Sequence, residues 1–113
     1  MIFTESLKKN DDFRRVYEQK KSKANRFFIM YVSEYIPDKN RLGISVSKKT
    51  GNSVVRHRIK RLVRESYRLN ESRFSSGLNI IVVARKEAAD IDYKETESAI
   101  LHLAGKQGIL IDK

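Results

Sequence analysis

The 113-residue sequence predicts an α+β fold, a single layer of β-sheet with helices packed on it. Three observations predict it. RFFIMYVSEYI (26–36) is rich in aromatic and β-branched residues, and after a turn it is followed by RLGISVSK (41–48). LNIIVVAR (78–85) has almost no polar alternation, as expected of a strand covered on both faces. Between these runs, GNSVVRHRIKRLVRESYR (51–68) repeats its apolar residues at helical spacing.

In chain order, NDDFRRVYEQK (10–20) reads as a short helix. Asn10 is its N-cap, Asp11 and Asp12 suit the positive end of the dipole, and Phe13, Val16 and Tyr17 line one face. In the strand at 26–36, Phe28, Met30 and Val32 share one face, and Phe27, Ile29 and Tyr31 the other. PDKN (37–40) is a turn with φ preset at Pro37, so 41–48 is expected to close a hairpin, with Leu42, Ile44 and Val46 on one face and Gly43, Ser45 and Ser47 on the other. KTGNS (49–53) breaks the strand and caps a helix running to about Leu69. SSG (75–77) turns into the buried strand. A last helix covers roughly Tyr93–Ala104, with Ile100, Leu103 and Ala104 inward and Gly105 and Gly108 ending it. The residues thus give the order α-β-β-α-β-α. With one proline and no linker or repeat, 1–113 is expected to be a single domain.

The composition, 40% hydrophobic and 34% charged, is globular. The absence of cysteine excludes disulfides and thiolate metal sites and favours an intracellular home. MIFTESLKKN lacks the build of a signal peptide, and no apolar run reaches membrane-spanning length. A soluble, cytoplasmic chain without membrane association is expected. The net charge of +10 is concentrated: residues 41–68 carry nine Lys/Arg against one acid, whereas 86–113 carry six acids against four lysines. Such a field suits a polyanion, above all nucleic acid, and costs stability by self-repulsion. Sulfate or phosphate is therefore expected to raise the melting temperature relative to chloride at equal ionic strength. An unchanged melting temperature would show that the field is not organised for anions.

In the basic helix, Val55, Ile59, Leu62, Val63, Ser66 and Leu69 gather on the core face. Arg56, His57, Lys60, Arg61, Arg64 and Arg68 lie opposite, with Arg58 at one flank. A merely solvated face ordinarily mixes signs for i,i+4 pairing, but the only acid here is Glu65. Arg56 and Arg58 sit at the helix start, where the macrodipole already supplies about +0.5 charge, so their placement favours a bound anion. The Gly51-Asn52-Ser53 backbone can present N–H groups to a phosphate, and Lys48 and Lys49 flank it. Phosphate-backbone binding is the stronger reading. Phe13, Tyr17 and Tyr31 are aromatic, while Gly43, Ser45 and Ser47, small residues, oppose Tyr31 in the expected hairpin. That combination leaves open either a filled core or a groove that stacks bases at about 1–3 kcal/mol each.

Protein-based catalysis finds no support in the residues. His57 lies among arginines with no carboxylate to orient it, and His102 sits on a helix flank. Asp11/Asp12 and Asp90/Asp92 read as helix-start or loop acids, not metal ligands. There is no Gly-rich phosphate loop and no nucleophile elbow. The residues describe an RNA-binding domain without an active site of its own.

RLGISVSKKTGNSVVRHRIKRLVRE (41–65) resembles the signature of the protein subunit of bacterial ribonuclease P, R-x-G-x-S-V-S-K-K followed by G-N-x-V-x-R-N-R-x-K-R-x-x-R. LKKNDDFRRVY (7–17), KANRFFIMY (23–31) and IIVVARKEA (80–88) resemble further family blocks in the same order. The resemblance implies the order α-β-β-β-α-β-α on a mixed sheet, with one more short strand near Lys20–Lys23. It also implies kinship with a ribosomal-protein and elongation-factor domain, and a left-handed β-α-β crossover against the usual rule. In function it implies a 1:1 ribonucleoprotein with a catalytic RNA and no further protein partner. That holoenzyme removes the 5′ leader of precursor tRNA, the RNA performing the hydrolysis with Mg²⁺. Lys48, Lys49, Asn52, Arg56, His57, Arg58, Lys60, Arg61, Arg64 and Arg68 would then contact the catalytic RNA, and Phe13, Tyr17, Asn25, Arg26, Tyr31 and Ser45 the single-stranded leader. His57 stands where the family usually has Asn; a neutral His still donates and accepts one hydrogen bond. The rival reading is a ribosomal-type structural RNA-binding protein with no role in cleavage.

Overall fold

The computed structural model describes residues 1–111, so the last two residues of the expected domain lie outside the described residues. Along the chain run β1 (Thr4–Ser6), α1 (Asn10–Glu18), β2 (Ser22–Ala24), β3 (Phe28–Glu34), β4 (Asn40–Ser45), α2 (Ser53–Asn70), β5 (Leu78–Ala84) and α3 (Tyr93–Gln107). The five strands form one mixed sheet in the order β1-β4-β5-β3-β2. β5 runs parallel to β4 and antiparallel to β3; β1 joins β4 in parallel and β2 joins β3 in antiparallel. β2 is the short extra strand that the resemblance implies. β1 is a further strand that the sequence reading does not contain.

The expected hairpin of 26–36 with 41–48 does not form, because β5 inserts between β3 and β4. The most apolar strand has the most to gain from being paired on both edges and covered on both faces. An edge position would leave its backbone groups unpaired. The turn before β5 is wedged into place: Gly77 accepts from the Tyr35 N–H at 2.8 Å and donates to the Lys39 carbonyl at 2.9 Å.

Alternation along the strands sorts the two faces. Phe28, Met30, Val32, Leu42, Ile80 and Val82 are buried in the main core, which they build with residues of α2 and α3. Ile81 faces the other way and is buried with Leu7 and Val16 beneath α1. The buried stripe of α2 is Ile59, Val63, Ser66, Tyr67 and Asn70. It is rotated from the expected face toward Tyr67, and Leu69, expected inward, is 57% exposed. Tyr67 earns that place by being apolar in body and polar at its tip. Its ring lies 4.8 Å from that of Phe74, and its hydroxyl meets Thr4 Oγ1 at 2.7 Å and Asn40 Nδ2 at 3.1 Å. Three other expectations need correction. Lys9, not Asn10, is the N-cap of α1, and Asn10 is its first helical residue. α3 continues through Gly105 to Gln107 and stops at Gly108, which is left-handed at φ 73°. Phe27 precedes β3 and packs against the main core.

β1 is held by a buried carboxylate. Glu71 accepts from Ile2 N–H at 2.7 Å, Phe3 N–H at 3.0 Å and Thr4 Oγ1 at 2.6 Å. Burial works to raise the pKa of this carboxyl, but the three donors outweigh it, and the net shift is downward from 4.5. The group whose folded pKa is depressed contributes stability above its unfolded value, and that stability is lost as pH falls through the folded value. Glu71→Gln is therefore expected to lower the melting temperature at neutral pH and to flatten its fall in acid. A wild-type acid limb in the variant would remove Glu71 as its source.

Candidate nucleic-acid interface

On the α1 side of the sheet, side chains align in rows set by strand register. Gly43, Ile81 and Tyr31 share one row, and Ser45, Val83 and Ile29 the next. Tyr31 and the small residues of β4 are therefore on one face as expected, but with β5 between them. α1 lies over the first row. A Cβ on Gly43 would fall 2.7 Å from Phe13 Cζ, so only glycine lets the Phe13 ring lie against the β4 backbone. Tyr17 stands edge-on to Tyr31 at 4.7 Å and 75°, and Phe13 lies 6.2 Å from Tyr17. Beside these rings opens a groove of about 440 Å³ lined by Asn10, Phe13, Arg14, Tyr17, Ile44, Ser45, Val46 and Lys60. Burial raises the pKa of the Tyr17 hydroxyl from 10.0, with the Ser45 hydroxyl acting against it, so the phenol stays neutral at physiological pH.

The structure thus brings Phe13, Tyr17, Tyr31 and Ser45 together but not Asn25 or Arg26. Asn25 ties the start of β3 to α3: its Nδ2 donates to the Ala99 carbonyl at 3.0 Å, and its Oδ1 accepts from Phe27 N–H at 3.1 Å and Phe28 N–H at 3.0 Å. The Arg26 guanidinium lies over the Phe27 ring at 5.4 Å. Both line a separate hollow against α3, shared with Lys94 and His102. Arg14 and Asn10 belong to the groove and were missed from sequence. The signal was present, since 10, 13, 14 and 17 share one helical face.

On α2, a second concave surface of about 580 Å³ gathers Ser53, Val54, His57, Arg58, Arg61 and Arg64. Val54, 76% exposed, is an apolar point within this cationic field. The rotation of the buried stripe carries Lys60 off this surface to the rim of the aromatic groove, so one helix serves both. Asn52 acts as the N-cap, its Oδ1 accepting from Val55 N–H at 3.0 Å, which uses one of the first-turn donors expected for phosphate. Arg56 turns back to donate from Nη1 to the Gly51 carbonyl at 2.8 Å. Arg68 is not a free cation, since it makes two bonds to Glu65, at 2.8 and 2.7 Å. Lys48 and Lys49 are exposed on the 3₁₀ turn that leads into α2. Asp92, read from sequence as a helix-start or loop acid, is at a helix start, where it completes a capping box with Glu95 on α3. Among the described residues, no three His, Cys, Asp or Glu side chains converge in a way that could hold a metal ion.

Residues 1–108 match the family model for ribonuclease P. The chain is 52% identical over 104 residues to the ribonuclease P protein component of Alkaliphilus oremlandii, covering 92% of this chain and 91% of that one. It is 56% identical over 101 residues to that of Lachnoclostridium phytofermentans, covering 89% and 87%. Among solved structures, a Staphylococcus aureus RNase P protein mutant described as defective in mRNA degradation superposes with a TM-score of 0.86 at 39% identity, over 93% of this chain and 89% of that one. The RNase P protein from Thermotoga maritima gives a TM-score of 0.83 at 30% identity, over 90% and 96%.

Proposed function

Because this chain belongs to the ribonuclease P protein component family, we propose that it joins the ribonuclease P RNA one to one and holds the 5′ leader of precursor tRNA in the α1 groove. The observation that carries the leader assignment is the Phe13–Tyr17–Tyr31 ring series, which flanks an open groove with Lys60 and Arg14 at hand. Aromatic faces stack unpaired bases whatever their identity, and the two cations suit the backbone between them. The α2 surface around Arg61 takes the catalytic RNA. Lys60 stands where the two ligands would meet, so leader and catalytic RNA occupy adjoining faces of one molecule.

On this reading the protein acts by binding. It lends affinity to a part of the substrate remote from the scissile bond, favouring precursor over mature tRNA. Mg²⁺ supplies hydrolytic chemistry when bound by the RNA. Among the described residues the acids do not gather into a cage for it, and no proton transfer is assigned to a protein side chain. The same reading keeps the chain cytoplasmic, with no membrane and no further protein partner.

The test is cleavage of a leader-bearing precursor in low Mg²⁺ by the protein alone, by a bacterial ribonuclease P RNA alone, and by both. Accurate 5′ cleavage only in the combined arm is expected. Cleavage by the protein alone would refute the division of labour, and RNA binding without stimulation would favour the ribosomal-type role. Arg61→Ala is expected to weaken affinity for the catalytic RNA and to reduce the slope of log K against log salt by about one. An unchanged slope would take Arg61 out of the interface.

A further inference from the structure

α1 has nine residues, too few for a helix to be stable alone in water. Its apolar docking is a cluster separate from the main core: Val16 is buried with Leu7 and Ile81, and Phe13 and Tyr17 pack against them half-buried, beside Tyr31 and Val83. On the groove side Phe13 rests on a glycine, which offers no side chain to interlock with. These apolar contacts are non-directional, so they hold the helix on the sheet without fixing its position along it.

A polar row on the other flank of α1 supplies directional contacts. Arg41, Asn79 and Ser33 are register partners across β4, β5 and β3, one row from Gly43, Ile81 and Tyr31. Arg41 Nε donates to Asn79 Oδ1 at 2.8 Å and Nη1 donates to Asp12 Oδ2 at 3.0 Å, while its guanidinium lies over the Tyr35 ring at 4.2 Å. The Asn79 amide donates onward to Ser33 Oγ and to the Glu34 carbonyl, both at 3.2 Å. The side chains of Arg41 and Asp12 are each only 19% exposed, whereas the Asp11–Arg14 pair on the same helix is 70% and 66% exposed. The Arg41 pair is thus the less screened of the two. A cavity of about 780 Å³ adjoins the row, but both ends of the Asn79 amide are already committed, so the row is built to hold rather than to receive.

We infer that Arg41 is a positioning residue: by fixing Asp12 against the sheet it sets where the next residue, Phe13, and one turn later Tyr17, stand over the groove. This deepens the leader reading and rests on it for the functional consequence. Arginine is required because the contact uses a planar fork and a stacked face together, which lysine cannot reproduce.

The experiment compares Arg41→Lys and Asp12→Asn in the full chain and in the reconstituted holoenzyme. Amide exchange is expected to rise about tenfold at residues 13–18 in both variants, with α2 and β5 unchanged. Preference for precursor over mature tRNA is expected to fall about fivefold without loss of affinity for the RNA subunit, and the double variant should be no worse than either single one. Unchanged α1 exchange in both variants overturns the inference. So does raised exchange with intact precursor preference, in a holoenzyme where Tyr17→Ala abolishes that preference. If Tyr17→Ala itself leaves the preference intact, the leader reading falls, and exchange at α1 alone then upholds or overturns the pinning role of Arg41.

Discussion

Tyr17→Ala is expected to weaken precursor tRNA binding by the holoenzyme by about 5- to 150-fold, the range of one lost base–aromatic stack. Affinity for mature tRNA and assembly with the RNA subunit should hardly change. The size of the effect follows from the position of the ring. Tyr17 is central to the aromatic series, meeting Tyr31 edge-on and lying next to Phe13, so its removal breaks the row as well as one face of it. It is only half-buried and lies outside the main core, so the fold tolerates its loss. Tyr17→Phe keeps the face and gives up only the hydroxyl near Ser45, so it should bind nearly as wild type. Equal weakening of precursor and mature tRNA by Tyr17→Ala would show that the groove does not hold the leader.

Gly43→Ala should cost about 1–3 kcal/mol of stability by overpacking and lose most of the precursor preference along with it. The added Cβ would lie 2.7 Å from Phe13 Cζ, 3.0 Å from Phe13 Cε2 and 3.3 Å from Leu7 Cδ2. Phe13 is the flexible partner, and the escape open to it is away from the sheet, into the groove. The stability effect should therefore be relieved in a Phe13→Ala background, while the binding effect should not. Urea midpoints for the single and double variants, beside precursor and mature tRNA affinities, read both parts. A Gly43→Ala variant with wild-type midpoint and wild-type precursor preference would show that Phe13 does not depend on contact with β4.

Much of the site was legible because its signals are local. The cap within 49–53, the apolar stripe through Ile59 and Val63, and the polycationic face of α2 are consequences of residue chemistry at short sequence range. The alternation in β3 and the unbroken apolar run of β5 likewise state which faces are covered. The errors lie where a residue has two natures or where a partner is distant in sequence. Tyr67 looks polar in a binary pattern, yet it fills the core and satisfies its hydroxyl there. That rotates α2 enough to expose Leu69 and move Lys60 to the groove. Asn25 and Arg26 stand beside an aromatic strand in sequence, but Asn25 is consumed by the β3 entry and by α3.

What the amino-acid sequence determined by itself was the kind of molecule: an α+β chain with its charge gathered on one helix, its aromatics on another element, and family motifs in order. Periodicity and local chemistry are short-range properties, and they survive any arrangement of the elements. Strand order does not follow from them. Alternation says which neighbours share a face with Tyr31 and with Gly43, but not that Ile81 separates the two or that Arg41 reaches Asp12 across the sheet. Those relations came from competition between distant segments for pairing and burial, in which β5 took the centre and α1 the face it left open. The groove is the gap that remains once that competition is settled, which is why only the tertiary structure could decide its shape.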